Sequence, residues 1–191
     1  MLLAGILVIG GTVMFMTTRT ATAVNTFSIG KNRINIIEEG IDPDAVEWGA
    51  TTKPVKLRNP TGADMTEGVV RAMLVPYLSD AIGGGRIGGN LGAIGAPSGN
   101  QLVMGDLTFH FVAGWGTNWF YKDGFFYYRK VLQPGETTEQ LLAGVTLASG
   151  KESEYKDIIA RVDVLADIIQ TAGNAPTVEW GVTVSNGVVS P

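Results

Sequence analysis

Period-two alternation dominates the patterned stretches of this chain. From Met16 to Ile29 there is neither Gly nor Pro, and Met16, Thr18, Thr20, Thr22, Val24, Thr26 and Ser28 share one face of an extended backbone. The members of that row from Thr18 to Thr26 are all β-branched, which suits a strand and resists a helix. Gly30 interrupts the row, and Ile34 and Ile36 resume it up to Glu38-Glu39. The pattern predicts one long strand, or two strands in line.

Further strands follow at short intervals. Lys53 to Arg58 alternates apolar with basic and stops at the turn cluster Asn59-Pro60-Thr61-Gly62. Val69 to Tyr77 reads as a strand with Pro76 near its end or on a sheet edge. Leu107 to Val112 alternates cleanly, and Trp119-Phe120-Tyr121 and Phe125 to Tyr128 flank Lys122-Asp123-Gly124, where Asp-Gly is the turn pair of a tight hairpin. Beyond Pro134-Gly135, Glu136 to Leu147 leads through a polar turn into another apolar stretch. Ile158 to Gln170 fits a helical stripe at Ile158, Val162, Leu165 and Ile169, but Arg161, Asp163 and Asp167 alternate with apolar neighbours, which favours a strand. Val178 to Val184 and Val188-Val189 complete a set of short strands that predicts an all-β sandwich or jelly roll.

Two segments lack this pattern. Ser79 to Asn100 holds eight glycines without a helical or strand period, and reads as a long loop inserted between strands. Leu2 to Met16 is an uncharged apolar run of 15 residues with Gly5, Gly10 and Gly11 inside it, and the first charge of any kind is Arg19. A spanning helix wants about 20 apolar residues, so the run fits the hydrophobic part of an export signal better than an anchor. It lacks the Lys or Arg that normally opens such a signal. The expected organisation is a signal-like segment over 1–14, an extended arm over 15–24, and one β-sandwich domain over 25–191 carrying a Gly-rich insertion at 79–100.

Composition agrees with a single core: 191 residues, 45% apolar and only 17% charged, with 26 glycines to supply turns. Net charge is −4 and no Lys/Arg-rich block occurs, so nothing in the linear sequence would neutralise a run of phosphates, and a nucleic-acid partner is not expected. With no Cys, disulfides, thiolate metal sites and Cys nucleophiles are excluded.

The candidate chemistry is sparse. A zinc peptidase or a Ser-His-Asp triad would have to use the single histidine, His110, which reads more simply as a satisfied strand residue. Gly83 to Gly89 lacks the Gly-Lys-Ser/Thr of a phosphate loop. Glu38, Glu39, Asp42, Asp44 and Glu47 could hold Ca²⁺ if their loop folds around it, but match no EF-hand and read as a solvated acidic turn. Of the aromatic residues Trp115, Trp119, Phe120, Tyr121, Phe125, Phe126, Tyr127 and Tyr128, which could in principle stack sugars or bases, about half should be core on a hairpin with alternating faces. No enzyme activity, metal or cofactor is expected.

The order of motifs resembles the camelysin/TasA-like family of proteins exported by Gram-positive bacteria. The likeness runs from Gly10-Gly11-Thr12 through Thr20 to Gly30, the Lys53 to Asn59 strand, Val70-Arg71 before Val75-Pro76, Phe126-Tyr127-Tyr128 with Leu132 to Thr138, and Ala166 to Gln170 with Glu179-Trp180-Gly181. It covers most of the chain apart from the glycine-rich segment, with motifs that are individually loose. The resemblance implies a jelly-roll β-sandwich and a subunit of biofilm-matrix fibres. It also places signal cleavage near Met14 and Phe15, although Val13 to Met16 departs from the family's pattern there. Ala23 and Val24, after the small-x-small triplet Ala21-Thr22-Ala23, mark a second candidate position.

The expected mechanism is head-to-tail polymerisation in which Phe15, Met16, Thr18, Thr20, Thr22 and Val24 form a strand donated to the next subunit. The principal partner is then another copy of the chain, with other matrix proteins as further partners and the membrane met only during export. Two rival readings are a pilin-like subunit that retains its apolar N-terminus in a filament core, and a secreted camelysin-type metallopeptidase, for which His110 alone cannot supply a conventional zinc site.

Overall fold

The computed structural model describes residues 24–25, 33–38, 51–52, 54–80, 85–88 and 92–191. In chain order its strands are β1 (Val24–Asn25), β2 (Ile34–Glu38), β3 (Thr51–Thr52), β4 (Val55–Arg58), β5 (Gly68–Asp80), β6 (Arg86–Ile87), β7 (Gln101–Met104) and β8 (Leu107–Phe111). A helical turn, α1 (Trp115–Asn118), precedes β9 (Trp119–Lys122), β10 (Phe125–Tyr128), β11 (Leu142–Leu147) and β12 (Ile158–Gln170). After a short helix, α2 (Ala175–Trp180), the chain closes with β13 (Thr183–Ser185) and β14 (Val188–Ser190). All named pairings are antiparallel, and the architecture is the all-β sandwich that the alternation predicts.

One layer has the strand order β12-β5-β10-β9, with β6 paired to the far end of β5. The other has the order β3-β11-β8-β7. The pair β2-β4 extends this second layer, because Thr138 and Leu141, just before β11, donate backbone N–H bonds to the carbonyls of Leu57 (2.8 Å) and Val55 (3.0 Å). Inward residues of the two layers form one core: Val70, Ala72 and Leu74 of β5, Phe126 and Tyr128 of β10, and Val162, Val164, Ala166 and Ile168 of β12 face Ile34, Ile36, Val55, Leu57, Phe109 and Phe111. Asn59 fastens the end of β4 to the opposite loop, its buried amide donating to the carbonyls of Leu132 (3.0 Å) and Thr66 (2.9 Å).

The Asp-Gly hairpin forms as expected. Asp123 (φ 49°) and Gly124 (φ 87°) are both left-handed, the two-residue turn whose twist matches the flanking strands. Pro76 lies inside β5 rather than near its end. It points away from β12, because Leu74 and Asp80, of the same parity, bond on the other side, and it falls between the residues paired to β10 and those paired to β6. Its missing N–H therefore leaves no ladder bond unmade.

Three expectations are corrected. Val24–Asn25 and Ile34–Glu38 are not in line: Val24 pairs with Asn35 and Asn25 with Ile34, so the chain reverses between them, in an interval that contains Gly30. The segment 79–100 is not without pairing. Ser79 and Asp80 complete β5, Arg86–Ile87 pairs back on it, and fully buried Ile94 donates its N–H to the Leu74 carbonyl at 2.8 Å. Val178 to Val184 is not a strand; Ala175–Trp180 is helical and only Thr183–Ser185 is extended. Pro176 in the first turn presets helical φ, and Gly181 (φ 62°) ends the helix, its N–H bonding the Thr177 carbonyl at 3.1 Å. These end signals outweigh the β preference of Thr177 and Val178.

At the start of β5 the two long strands press on a residue without a side chain. A Cβ at Gly68 would meet Ile168 Cγ1 at 2.6 Å and the Ile169 carbonyl oxygen at 2.7 Å. Gly68→Ala is expected to destabilise the fold by about 2 kcal/mol in urea unfolding, whereas Gly95→Ala, whose Cβ meets nothing within 4 Å, should stay within about 0.5 kcal/mol of the parent.

Candidate functional site

The residues expected to act in export and assembly divide sharply. Met14, Phe15, Met16, Thr18, Thr20, Thr22 and Ala23 lie outside the described residues, as do Asp42, Asp44 and Glu47 of the acidic stretch. Val24 lies in β1, paired with β2. Both β1 and β2 come close to β12, the outermost strand of its layer. Thirteen residues long, β12 is paired to β5 throughout, and among the described residues no strand is paired to its other side.

His110 sits in the centre of the outer face of β7-β8-β11. Its Nε2 is 2.8 Å from Thr146 Oγ1 and its Nδ1 is 3.3 Å from Gln101 Nε2, so both ring nitrogens are engaged by neighbouring strands. Among the described residues no group of three or more His, Asp or Glu side chains is placed to hold a metal ion, and no helix is long and apolar enough to cross a membrane.

The aromatic residues of the hairpin are more buried than alternation alone predicts. Trp119, Phe126 and Tyr128 belong to the inner core, while Phe120 and Tyr127 are buried on the opposite face with Val69, Val182 and Val189. The reason is a C-terminal cap. α2, β13 and β14 lie across the outer face of the β5-β10-β9 layer, with Val131 N–H bonding the Gly187 carbonyl and Val189 N–H bonding the Arg129 carbonyl, at 2.9 and 2.8 Å.

Arg71 holds this cap. Its guanidinium lies 3.8 Å from the centre of the Phe125 ring and 4.2 Å from that of Trp180, and it pairs with Asp167 on β12 at 3.0 Å. Tyr127 OH completes the contacts at 3.3 Å. A planar cation that stacks on rings and pairs edge-on with a carboxylate suits this position, which an ammonium fills only in part. The sequence marks Arg71 only by its place in an alternating strand and by the Val70-Arg71 pair noted above.

At one margin of the sandwich, a surface cleft of about 590 Å³ is lined by Tyr128, Lys130, Gln133, Glu136, Glu139 and Asn186, among others. The Tyr128 hydroxyl donates to Glu139, and Lys130 Nζ lies 3.6 Å from the same carboxylate. The hydrogen bond from Tyr128 holds the Glu139 carboxyl below its ordinary range, and burial together with that carboxylate pushes the Tyr128 phenol up. The cleft contains a carboxylate, an ammonium and a phenol, but each is committed to another.

No family model, curated protein or solved structure matches the chain.

Two outcomes follow from this geometry. Arg71→Ala should lower stability by roughly 1–3 kcal/mol, with Arg71→Lys intermediate, measured by urea unfolding followed through tryptophan fluorescence. Because the folded-state pKa of Glu139 lies below its ordinary 4.5, its contribution is present above that pH and is lost as pH falls through the folded value. Glu139→Gln should therefore flatten part of the acid limb of a stability–pH profile.

Proposed function

We propose that this chain is the exported structural subunit of an extracellular fibre, and that it polymerises head-to-tail by strand addition. The observation that carries the reading is the margin of β12: a thirteen-residue strand at the end of its layer, with β1, which holds Val24, the last residue of the predicted donor stretch, close to it. A strand added there meets a row of main-chain donors and acceptors, which supply affinity, while side chains at alternate positions fix register. Donor and acceptor are different surfaces of one molecule, so the contact is head-to-tail and can propagate as a filament. The Thr-rich, Gly- and Pro-free alternation from Met16 to Ile29 supplies a donor of the right kind, and the resemblance to TasA-like fibre proteins points the same way.

The test is removal of residues 15–24. The shortened protein should remain monomeric by light scattering and electron microscopy, and fibres identical to those of the parent would overturn the proposal. The absence of Cys gives a second, position-resolved measurement. Thr18→Cys, Thr20→Cys and Thr22→Cys are each combined with Leu165→Cys, an exposed position on β12. Oxidised fibres of at least one pair should yield a ladder of covalent oligomers on denaturing gels. Fibres that need the arm yet give no ladder with any pair would show that β12 is not the acceptor.

A further inference from the structure

Read linearly, the chain has no cluster of basic residues, yet folding builds one. On β4 the inward positions are Val55 and Leu57, which leaves Lys56 and Arg58 on the outer face. On β2 the inward positions are Ile34 and Ile36, which leaves Asn35 and Ile37 outward, with Arg33 of the same parity just before the strand. The register sets Asn35 beside Arg58 and Ile37 beside Lys56. Arg33, Lys56 and Arg58 therefore share one face of a two-stranded surface. Successive outward residues on a strand stand about 7 Å apart and cross-strand neighbours about 5 Å.

These three cations differ in state from the ion-paired cations elsewhere in the fold. Arg71 is paired with Asp167, Arg86 with Asp163, Lys130 with Glu139, and Lys151 with Asp106 and Glu154. Arg33, Lys56 and Arg58 take part in none of these ion pairs, and Arg33 and Arg58 are exposed. Glu139, within the 137–141 stretch bonded to β4, is engaged by Tyr128 and Lys130. Among the described residues, the outward positions 33, 35 and 37 of the β2 row and 56 and 58 of β4 carry three cations and no carboxylate.

We infer that the outer face of β2-β4 is a docking surface for an acidic polysaccharide, bound through the carboxylates of its sugar rings. Charge complementarity selects a polyanion, and two guanidiniums favour planar carboxylates. The amide of Asn35 offers hydrogen bonds to hydroxyls between the cations, and half-buried Ile37 offers an apolar ledge to the C–H face of a ring. The face described carries no aromatic side chain on which a nucleic-acid base could stack, and three cations on a flat sheet make a weak electrostatic footprint for a phosphate backbone. Affinity for a single subunit is expected to be low and salt-sensitive, and rows of subunits on one polymer would raise it by avidity. The inference stands on the surface of one subunit and does not require polymerisation.

The test measures binding of polygalacturonate to the full chain by titration calorimetry, with neutral dextran, polyphosphate and duplex DNA as comparison ligands. Binding to polygalacturonate should weaken on the order of tenfold between about 50 and 200 mM salt. It should fall at least tenfold in the combined variant Arg33→Gln, Lys56→Gln, Arg58→Gln. A control with the same charge change, Lys130→Gln, Lys151→Gln, Lys156→Gln, should bind as the parent does. Both variants are first compared with the parent by circular dichroism and thermal unfolding. Undiminished binding in the first variant, or an equal loss in the control, overturns the assignment of the site. Binding of dextran, polyphosphate or DNA as tight as that of polygalacturonate overturns the assignment of the ligand, and so does an absence of binding to any of them.

Discussion

The pairing of β5 with β12 is the constraint on which the rest of the sandwich depends. It runs without a bulge from Gly68 opposite Gln170 to Asp80 opposite Ile158. A ladder of that length fixes the parity of both strands, and parity assigns every side chain to a face. Val70, Ala72, Leu74, Val162, Val164, Ala166 and Ile168 enter the main core by that rule, while Val69, Arg71, Asp167 and Ile169 are delivered to the opposite side. A slip of one residue would exchange the two sets and place Arg71 and Asp167 in the interior. The absence of a side chain at Gly68 lets the ladder close where Ile168 and the Ile169 carbonyl crowd it.

Because the ladder has two apolar faces, it needs two coverings. The facing layer provides one, and the last residues of the chain provide the other. The outer cover is small, so it is fixed by directional contacts: a guanidinium held between two rings and a carboxylate, and main-chain bonds from Val131 and Val189. This division explains why Phe120 and Tyr127, on the outward side of an apparently two-faced hairpin, are as enclosed as Phe126 and Tyr128.

What could be read from the sequence follows from the range of the interactions involved. The β9–β10 hairpin is legible because Asp123-Gly124 is a local instruction. β12 is legible because charges at 161, 163 and 167 enforce period two against a competing helical stripe. The expected strand from Val178 to Val184 begins inside the helix Ala175–Trp180, because the residues that decide the helix, Pro176 and Gly181, lie at its ends, while Val178 invites the opposite reading and proves exposed. The clamp of Arg71 joins residues 96 apart in sequence, and no periodicity reports it. Lys56 and Arg58 are visible as alternating basic residues, but their convergence with Arg33 depends on the β2–β4 register, which only the fold supplies. Of the expected donor stretch, only Val24 falls among the described residues.

The cap lies C-terminal to every strand that it covers, and this sets an order of events. A polypeptide is made from its N-terminus, so β5, β9 and β10 are complete before Val182 and Val189 exist to cover Val69, Phe120 and Tyr127. Until residues 175–190 join, the layer presents an apolar aromatic surface to whatever surrounds it. The main core cannot close early either, since β5 waits for β12, some eighty residues later in the chain, and such distant pairings are slow to form. Folding is therefore committed only once β12 and the cap have joined, and the exposed intermediates must be shielded or kept dilute until then.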